Sequence, residues 1–144
     1  MTVWRTDLAL EQHQGMGGEL PGVVCEEGQA QGLPLTTVRV TNDEGARALG
    51  KPVGVYHTLD LTAVTRREEG AMGRAVAVLR GLLAPLLPEK GEVLVVGLGN
   101  RAITPDAIGP GVADHTMVTR HLVEQAPEHF GSFRPVAALA AGVL

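Results

Sequence analysis

The sequence predicts an α/β fold in which a mainly parallel sheet lies between helices, giving three layers, α/β/α, in the complete protein. Apolar runs of strand length alternate with segments of helical periodicity along the chain. The run from Val93 to Val96 is apolar at every position, as expected for a strand buried on both faces of a parallel sheet. A helical segment and a second apolar run, Pro135 to Leu144, follow it. Strand, helix, strand in this order indicates a parallel crossover.

Helix-capping residues and glycine-rich segments define the helices and strands predicted before Val93. The predicted elements are, in order, a helix over Leu8 to Gln14, strands over Val23 to Glu26 and Thr36 to Val40, a helix over Asp43 to Leu49 and a strand over Val53 to Leu61. Gly15 to Gly18 break the chain after the first helix, and the glycine-rich segment 28–34 joins the first two strands. Asn42 is a good N-cap for the second helix, which Gly50 ends.

Two longer helices are predicted on either side of the Val93 run. The first runs from Thr65 to Leu86, because apolar residues repeat at intervals of three and four at Ala71, Ala75, Leu79, Leu82 and Leu86. Its charged cluster, Arg66 to Glu69, is interpreted as a solvated face. The second runs from Gly109 or Pro110 to Glu124.

Composition limits the classes of function. A length of 144 residues predicts one domain, residues 1–144, and 44% hydrophobic with 19% charged residues indicates a globular chain. A net charge of −4 argues against direct binding of nucleic acid. No stretch has the length of a membrane span or the pattern of a signal peptide, so we expect a cytoplasmic protein without a membrane partner.

The metal and thiol chemistry of the chain is sparse, and we predict neither a metal nor a cofactor. Cys25 is the only cysteine, and Glu26 and Glu27 beside it oppose thiolate formation. No histidine pair has the spacing of a metal site. His115 and His121 lie six residues apart and would point to different faces of one helix.

The turn after Val96 is the most informative part of the chain. Gly97 and Gly99 allow a sharp turn at the carboxyl end of a strand, which is where open α/β sheets bind ligands. Asp106 follows Thr104 and Pro105 at a helix start, where the helix dipole favours an ionised carboxylate. This arrangement makes Asp106 a candidate for acid–base chemistry.

Two other interpretations of this turn remain. Gly97, Gly99 and Ala102 satisfy a relaxed dinucleotide-binding pattern, but Pro105 and Pro110 interrupt the helix that such a site requires. The turn also fits a structural strand-to-helix connection with a solvated aspartate.

A resemblance to a known family favours the catalytic interpretation. The blocks Val96-Gly-Leu-Gly-Asn, Thr104-Pro-Asp-Ala-Ile-Gly-Pro and Val118-Thr-Arg-His-Leu resemble the bacterial germination proteases, endopeptidases that degrade small acid-soluble spore proteins. Further blocks in family order begin at Arg5, Val38, Arg134 and Ala141, with Tyr56 and Thr58 after the second.

The resemblance implies an aspartate-based endopeptidase that acts on small acid-soluble spore proteins during germination, in the cytoplasm of the developing spore. Asp106 matches the first of the family's two essential aspartates, and the second belongs to a later segment that this chain lacks. Members are more than twice this long and begin with an inhibitory propeptide as zymogens. The chain therefore resembles the amino-terminal part of such an enzyme, truncated and expected to be inactive alone.

The resemblance also bears on architecture and on the supporting residues. Family members are similar in fold to the hydrogenase-maturation endopeptidases, in which the corresponding carboxylate binds nickel. We expect Gly97, Gly99 and Asn100 to shape the site or bind a substrate carbonyl through backbone amides. Thr104 and His121 belong to the matching blocks and are expected to shape or orient the site.

Two alternative functions stay open. The chain is a non-catalytic assembly or binding fragment of the same fold if uncovered apolar sheet surface drives self-association, and we expect a homo-oligomer on that ground. The block Val96-Gly-Leu-Gly-Asn also opens the peptidyl-tRNA hydrolases, but the acidic net charge and the following Thr104-Pro-Asp argue against that class.

Overall fold

The computed structural model of the protein describes residues 8–15 and 20–142. They belong to two compact units, divided between Leu86 and Leu87, and each unit contains one sheet. The first sheet has three antiparallel strands and the second has two parallel strands. The mixed α/β class is therefore confirmed. The expectation of a mainly parallel sheet is wrong for these residues, because three of the five strands pair antiparallel.

The first unit places two helices against one face of its sheet. Its elements are α1 (Ala9–Gly15), β1 (Val23–Ala30), β2 (Leu33–Val40), α2 (Asp43–Leu49), β3 (Gly54–Leu59), α3 (Thr62–Thr65), α4 (Ala71–Leu83) and a 3₁₀ turn (Ala84–Leu86). The strands are in the order β1-β2-β3. Apolar side chains of α1, α2, β1 and β2 form the buried core, namely Ala9, Val23, Val38, Val40 and Leu49. The predicted break at Gly15 to Gly18 lies mostly outside the described residues.

The first two strands are longer than the sequence predicts. Both continue to a two-residue turn, Gln31-Gly32, so that Gly28 lies inside β1 opposite Leu35. Both turn residues have positive φ angles, 52° and 74°. This backbone matches the twist of a tight hairpin. Glutamine rarely adopts a positive φ angle, so the sequence does not predict a tight turn at Gln31.

The second helix confirms its predicted caps. The side chain of Asn42 accepts a hydrogen bond of 2.8 Å from the Gly45 N–H. Gly50 has a left-handed backbone with φ of 70°, and its N–H donates to the Ala46 carbonyl oxygen. β3 is confirmed too, as a shorter strand than predicted.

The predicted helix from Thr65 to Leu86 is wrong. The chain instead forms α3 and α4, with residues 66–70 between them. Arg67 and Gly70 have positive φ angles of 56° and 68° in this interruption, and a left-handed backbone cannot continue an α-helix. The buried line on α4 also differs from the predicted one, since Val78 is buried while Leu79 is 45% exposed.

The second unit is a parallel crossover. Its elements are β4 (Val93–Leu98), a 3₁₀ turn (Thr104–Asp106), α5 (Ile108–His115), α6 (Arg120–Gln125), α7 (Pro127–Phe130) and β5 (Val136–Ala141). β4 and β5 pair in parallel, from Val93 opposite Val136 to Leu98 opposite Ala141. The predicted strand, helix, strand order is confirmed, although the end of the last predicted strand, residues 143–144, lies outside the described residues.

Only one face of this parallel pair is covered within its own unit. α5 packs on the face that carries Gly97. The opposite face, here termed the bare sheet face, consists of Leu94, Val96, Leu98 and Leu139, which are 45–62% exposed. The expectation that Val93 to Val96 form a strand buried on both faces is therefore wrong for this structure.

The second long helix of the prediction is interrupted over residues 116–119. The α5 helix ends at His115, and Thr119 is 5% exposed between α5 and α6. Its N–H donates to the Val136 carbonyl oxygen, its hydroxyl donates to the Arg134 carbonyl oxygen, and that hydroxyl accepts the Val136 N–H at 3.0 Å. These bonds hold the chain to the start of β5. Thr119, which belongs to the Val118–Leu122 block, therefore has a structural role.

Among the residues described, no helix combines the length and the apolar character needed to cross a membrane.

Candidate active site

A cleft opens at the carboxyl ends of β4 and β5. It has a volume of about 270 Å³ and is lined by Gly99, Asn100, Arg101, Pro110, Ala140, Ala141 and Gly142. Ligands of open α/β folds bind at this end of parallel strands. The predicted position of the site is thus matched by a concave surface.

Two glycines bring the backbone of α5 against β4. A Cβ atom added at Gly97 would overlap the carbonyl oxygen of Gly109, and one added at Gly109 would overlap the carbonyl oxygen of Leu98. Both positions therefore require glycine. The close approach fixes the start of α5 beside the end of β4, and hence the loop between them. Sequence reasoning singled out Gly97 but not Gly109.

Gly99 allows the loop to fold back on itself. Its φ is 140°, a conformation that other residues rarely adopt. A Cβ atom here would overlap the carbonyl oxygen of Asp106 and approach Pro110, which is fully buried. Gly99 thus has a steric role in bringing residue 106 back to the end of the strand.

Asp106 is tied to the glycine turn through its side chain. Its Oδ2 accepts a hydrogen bond of 2.6 Å from the Asn100 N–H, and the side chain is exposed. Thr104 and Pro105 begin a 3₁₀ turn rather than an α-helix, and the Asp106 N–H donates to the Ile103 carbonyl oxygen. The amide that holds the carboxylate therefore comes from the strand end and not from the first turn of α5.

Asn100 organises the loop with both its main chain and its side chain. Its N–H is engaged by Asp106, and its Oδ1 accepts the Ala102 N–H at 2.9 Å. In this arrangement the Asn100 amide is already occupied. It reaches a substrate carbonyl only if the bond to Asp106 breaks.

The two remaining candidates lie at different places. Thr104 is exposed and starts the 3₁₀ turn, where its carbonyl oxygen accepts the Ala107 N–H. His121 is exposed on α6, and its side chain makes no hydrogen bond or ion pair with the other residues of 8–15 and 20–142. His115 belongs to α5, so the expectation that His115 and His121 share one helix is wrong.

Two other aspartates, Asp114 and Asp60, have lowered pKa values. Arg101 donates two hydrogen bonds to Asp114, one of them 2.9 Å from Nη2 to Oδ1. The pair lowers the pKa of Asp114 and raises that of Arg101. Asp60 Oδ1 accepts the Thr62 N–H at 2.6 Å, and hydrogen bonds from Thr62 lower the pKa of Asp60.

In the described residues, neither Cys25 nor the potential metal ligands form a recognisable reactive or metal-binding site. Partial burial, with a smaller contribution from the charge of Glu27, raises the pKa of Cys25. Within the part of the chain that the structure describes, no group of three or more histidine, cysteine, aspartate or glutamate side chains is placed to hold a metal ion.

Comparison with known proteins places this chain in a class of peptidases. The sequence profile of the germination proteases matches residues 4–144. The chain is 45% identical to the germination protease of Clostridium perfringens strain ATCC 13124 and 42% identical to that of Caldanaerobacter subterraneus subsp. tengcongensis, covering 97% of this chain in both cases. It is 37% identical over its whole length to the germination protease of Priestia megaterium. The chain belongs to the germination protease family.

The matching relatives are much longer than this chain. The alignments cover 46%, 44% and 41% of the three relatives, so the chain spans less than half of their length. The resemblance to the family is thereby confirmed, and the match corresponds to only part of each relative.

Proposed function

We propose that this chain contributes the water-activating aspartate, Asp106, of a germination protease. The observation that carries the proposal is the 2.6 Å hydrogen bond from the Asn100 N–H to Asp106 Oδ2, beside the cleft at the end of the parallel strands. One carboxylate oxygen is fixed by this bond. The other has lone pairs that can accept a proton from water. An exposed carboxylate held in one orientation is suited to act as a general base.

Peptide hydrolysis by carboxylates requires a second, protonated group. One carboxylate removes a proton from water while the other donates to the peptide carbonyl or to the leaving amine, and two close carboxylates share one proton because both cannot ionise cheaply. The acid therefore has to keep its proton at neutral pH, and its pKa must be raised rather than lowered.

Two other aspartates of this chain, Asp114 and Asp60, do not meet this requirement. Arg101 lowers the pKa of Asp114, and Thr62 lowers that of Asp60. We therefore propose that the acid is the second aspartate of the family, contributed by a segment outside residues 1–144. Residues 1–144 then carry the base and the glycine turn, and a whole germination protease carries both groups.

The proposed substrate and setting rest on the resemblance to the family. We propose that the whole protein hydrolyses small acid-soluble spore proteins during germination, in the cytoplasm of the developing spore, after activation from a zymogen. The support is membership of the family and the cleft whose lining includes Asn100, the residue that binds the Asp106 carboxylate. We also propose a three-layer fold like that of the hydrogenase-maturation endopeptidases, in which further structure covers the bare sheet face.

If the base lies in residues 1–144 and the acid lies outside them, residues 1–144 alone and a family-length protein should differ in proteolytic activity. Residues 1–144 alone should not cleave a spore-protein peptide, because one carboxylate cannot act as acid and base in one step. A chimera should cleave it if these residues replace the matching part of the Clostridium perfringens relative. The measurement is peptide release by mass spectrometry. Proteolysis by the short chain that depends on Asp106 would contradict the division.

A non-catalytic assembly role is the second candidate, and the bare sheet face favours it. Four aliphatic side chains are 45–62% exposed there, and contiguous apolar surface promotes self-association. If assembly is the function, sedimentation of residues 1–144 should give one defined oligomer, and Val96→Lys should convert it to monomers. Heterogeneous aggregation would contradict an assembly role.

A further inference from the structure

We propose that Arg101 and Asp114 form a clamp that positions Asp106, with Arg101 acting as a positioning residue and not as a catalytic one. The inference rests on the proposed function of Asp106. Arg101 follows Asn100 in the loop, and Asp114 lies on α5, thirteen residues further along the chain. Asp106 lies between them in sequence. The ion pair therefore closes the segment that presents the carboxylate.

The geometry of this pair differs from that of an ordinary surface ion pair. Two guanidinium nitrogens of Arg101 donate separately to the two carboxylate oxygens of Asp114. Single contacts between exposed charges contribute little, whereas two parallel bonds fix the relative orientation of both groups. Arg120 is the contrasting case, because its two bonds go to different carboxylates, Glu92 and Glu124.

The clamp acts on the atoms that hold Asp106. Arg101 is the neighbour of Asn100, whose N–H binds the Asp106 carboxylate, and the Asn100 side chain binds the Ala102 N–H. Residues 100 to 102 are thus linked to Asp106 at one end and to α5 at the other. α5 is itself held against β4 by the glycine contacts at Gly97 and Gly109. Fixing Arg101 to α5 therefore fixes the donor that orients the carboxylate.

The Asn100 amide donates to Asp106, and its state can be measured directly in residues 1–144. The measurements are the NMR chemical shift and the hydrogen-exchange rate of this amide. In Arg101→Gln and in Asp114→Asn we expect exchange at Asn100 to rise about tenfold or more, with an upfield shift of its proton. The Val136 amide, which Thr119 holds elsewhere in the same unit, should stay within about twofold of its original rate.

Rescue and a matched control separate positioning from simple destabilisation. The exchanged pair Arg101→Asp with Asp114→Arg should restore the Asn100 amide to within about threefold of its original rate. Arg120→Gln removes an equally exposed arginine and should leave the Asn100 amide unchanged. An unaltered Asn100 amide in Arg101→Gln would overturn the clamp. So would parallel acceleration at Asn100 and Val136, because the effect would then be a general loss of stability.

A kinetic measurement distinguishes failure of the clamp from failure of the proposed role of Asp106. In the chimera with the Clostridium perfringens relative, Arg101→Gln should lower kcat about 10-fold to 100-fold with KM within about twofold, since misplacing a catalytic group reduces turnover. The amide measurements require no hydrolysis. If the chimera is inactive, the proposed function fails while the clamp can still hold; if Asn100 is unaffected, the clamp fails while Asp106 can still be the base.

Discussion

Asp106→Asn should reduce peptide hydrolysis by the chimera about 10²-fold to 10⁴-fold, the range expected when a general base is removed. Asparagine has nearly the same shape as aspartate, and its side-chain oxygen can still accept the Asn100 N–H. The substitution therefore removes the proton acceptor while leaving the loop in place. The measurement is kcat and KM on a spore-protein peptide, and we expect the loss in kcat.

Asp60→Asn is the matched control for this result. Asp60 is also an exposed aspartate just after a strand, but its carboxylate is engaged by Thr62. Removing its charge should change kcat by less than about threefold. The circular dichroism spectra of both variants should match that of the parent. An Asp106→Asn protein with the parent's folding and near-parental turnover would show that Asp106 is not the base.

Gly99→Ala should disrupt the loop that holds Asp106. The backbone has a φ of 140°, and the added Cβ atom would overlap the carbonyl oxygen of Asp106. A strained backbone alone costs about 1–3 kcal/mol, and the overlap adds to this cost because a backbone atom must move. We expect the free energy of unfolding to fall by at least about 2 kcal/mol and the Asn100 amide to lose its protection.

Gly111→Ala tests the same chemical change where space is available. Gly111 lies in α5, and a Cβ atom there would meet nothing within 4 Å. Alanine in a helix should leave stability unchanged or raise it by about 0.4–1 kcal/mol. Urea denaturation of both variants gives the comparison. Equal stability of Gly99→Ala and Gly111→Ala would contradict the packing of Gly99 against residue 106.

The sequence predicts local structure well where the signal is local. The caps of α2 are an example, since Asn42 and Gly50 act on neighbouring backbone groups. The long helix over Thr65 to Leu86 fails because the apolar repeat that predicts it begins only at Ala71, while the backbone is left-handed at Arg67 and Gly70. Periodicity records which side chains are apolar. It does not record a change in φ at an arginine.

The candidate site is predictable in its location but not in its internal contacts. Gly97, Gly99 and Asp106 stand out because a glycine turn after an apolar strand is visible in the sequence and matches a family. The bond from Asn100 to Asp106 depends on how closely α5 approaches β4, which the backbone contact at Gly109 sets. Arg101 lies in the loop after β4 and Asp114 lies on α5, thirteen residues later. No rule of sequence spacing predicts that these two side chains form an ion pair.

The most direct test is a structure of the chimera bound to a peptide analogue that carries a gem-diol at the scissile position. We expect one carboxylate oxygen of Asp106 to lie about 2.6–3.2 Å from a gem-diol oxygen, within hydrogen-bond reach of the water that the diol imitates. We also expect a second, protonated carboxyl on the other gem-diol oxygen. A bound analogue with Asp106 more than about 6 Å from both oxygens would contradict the proposal that this aspartate activates the water.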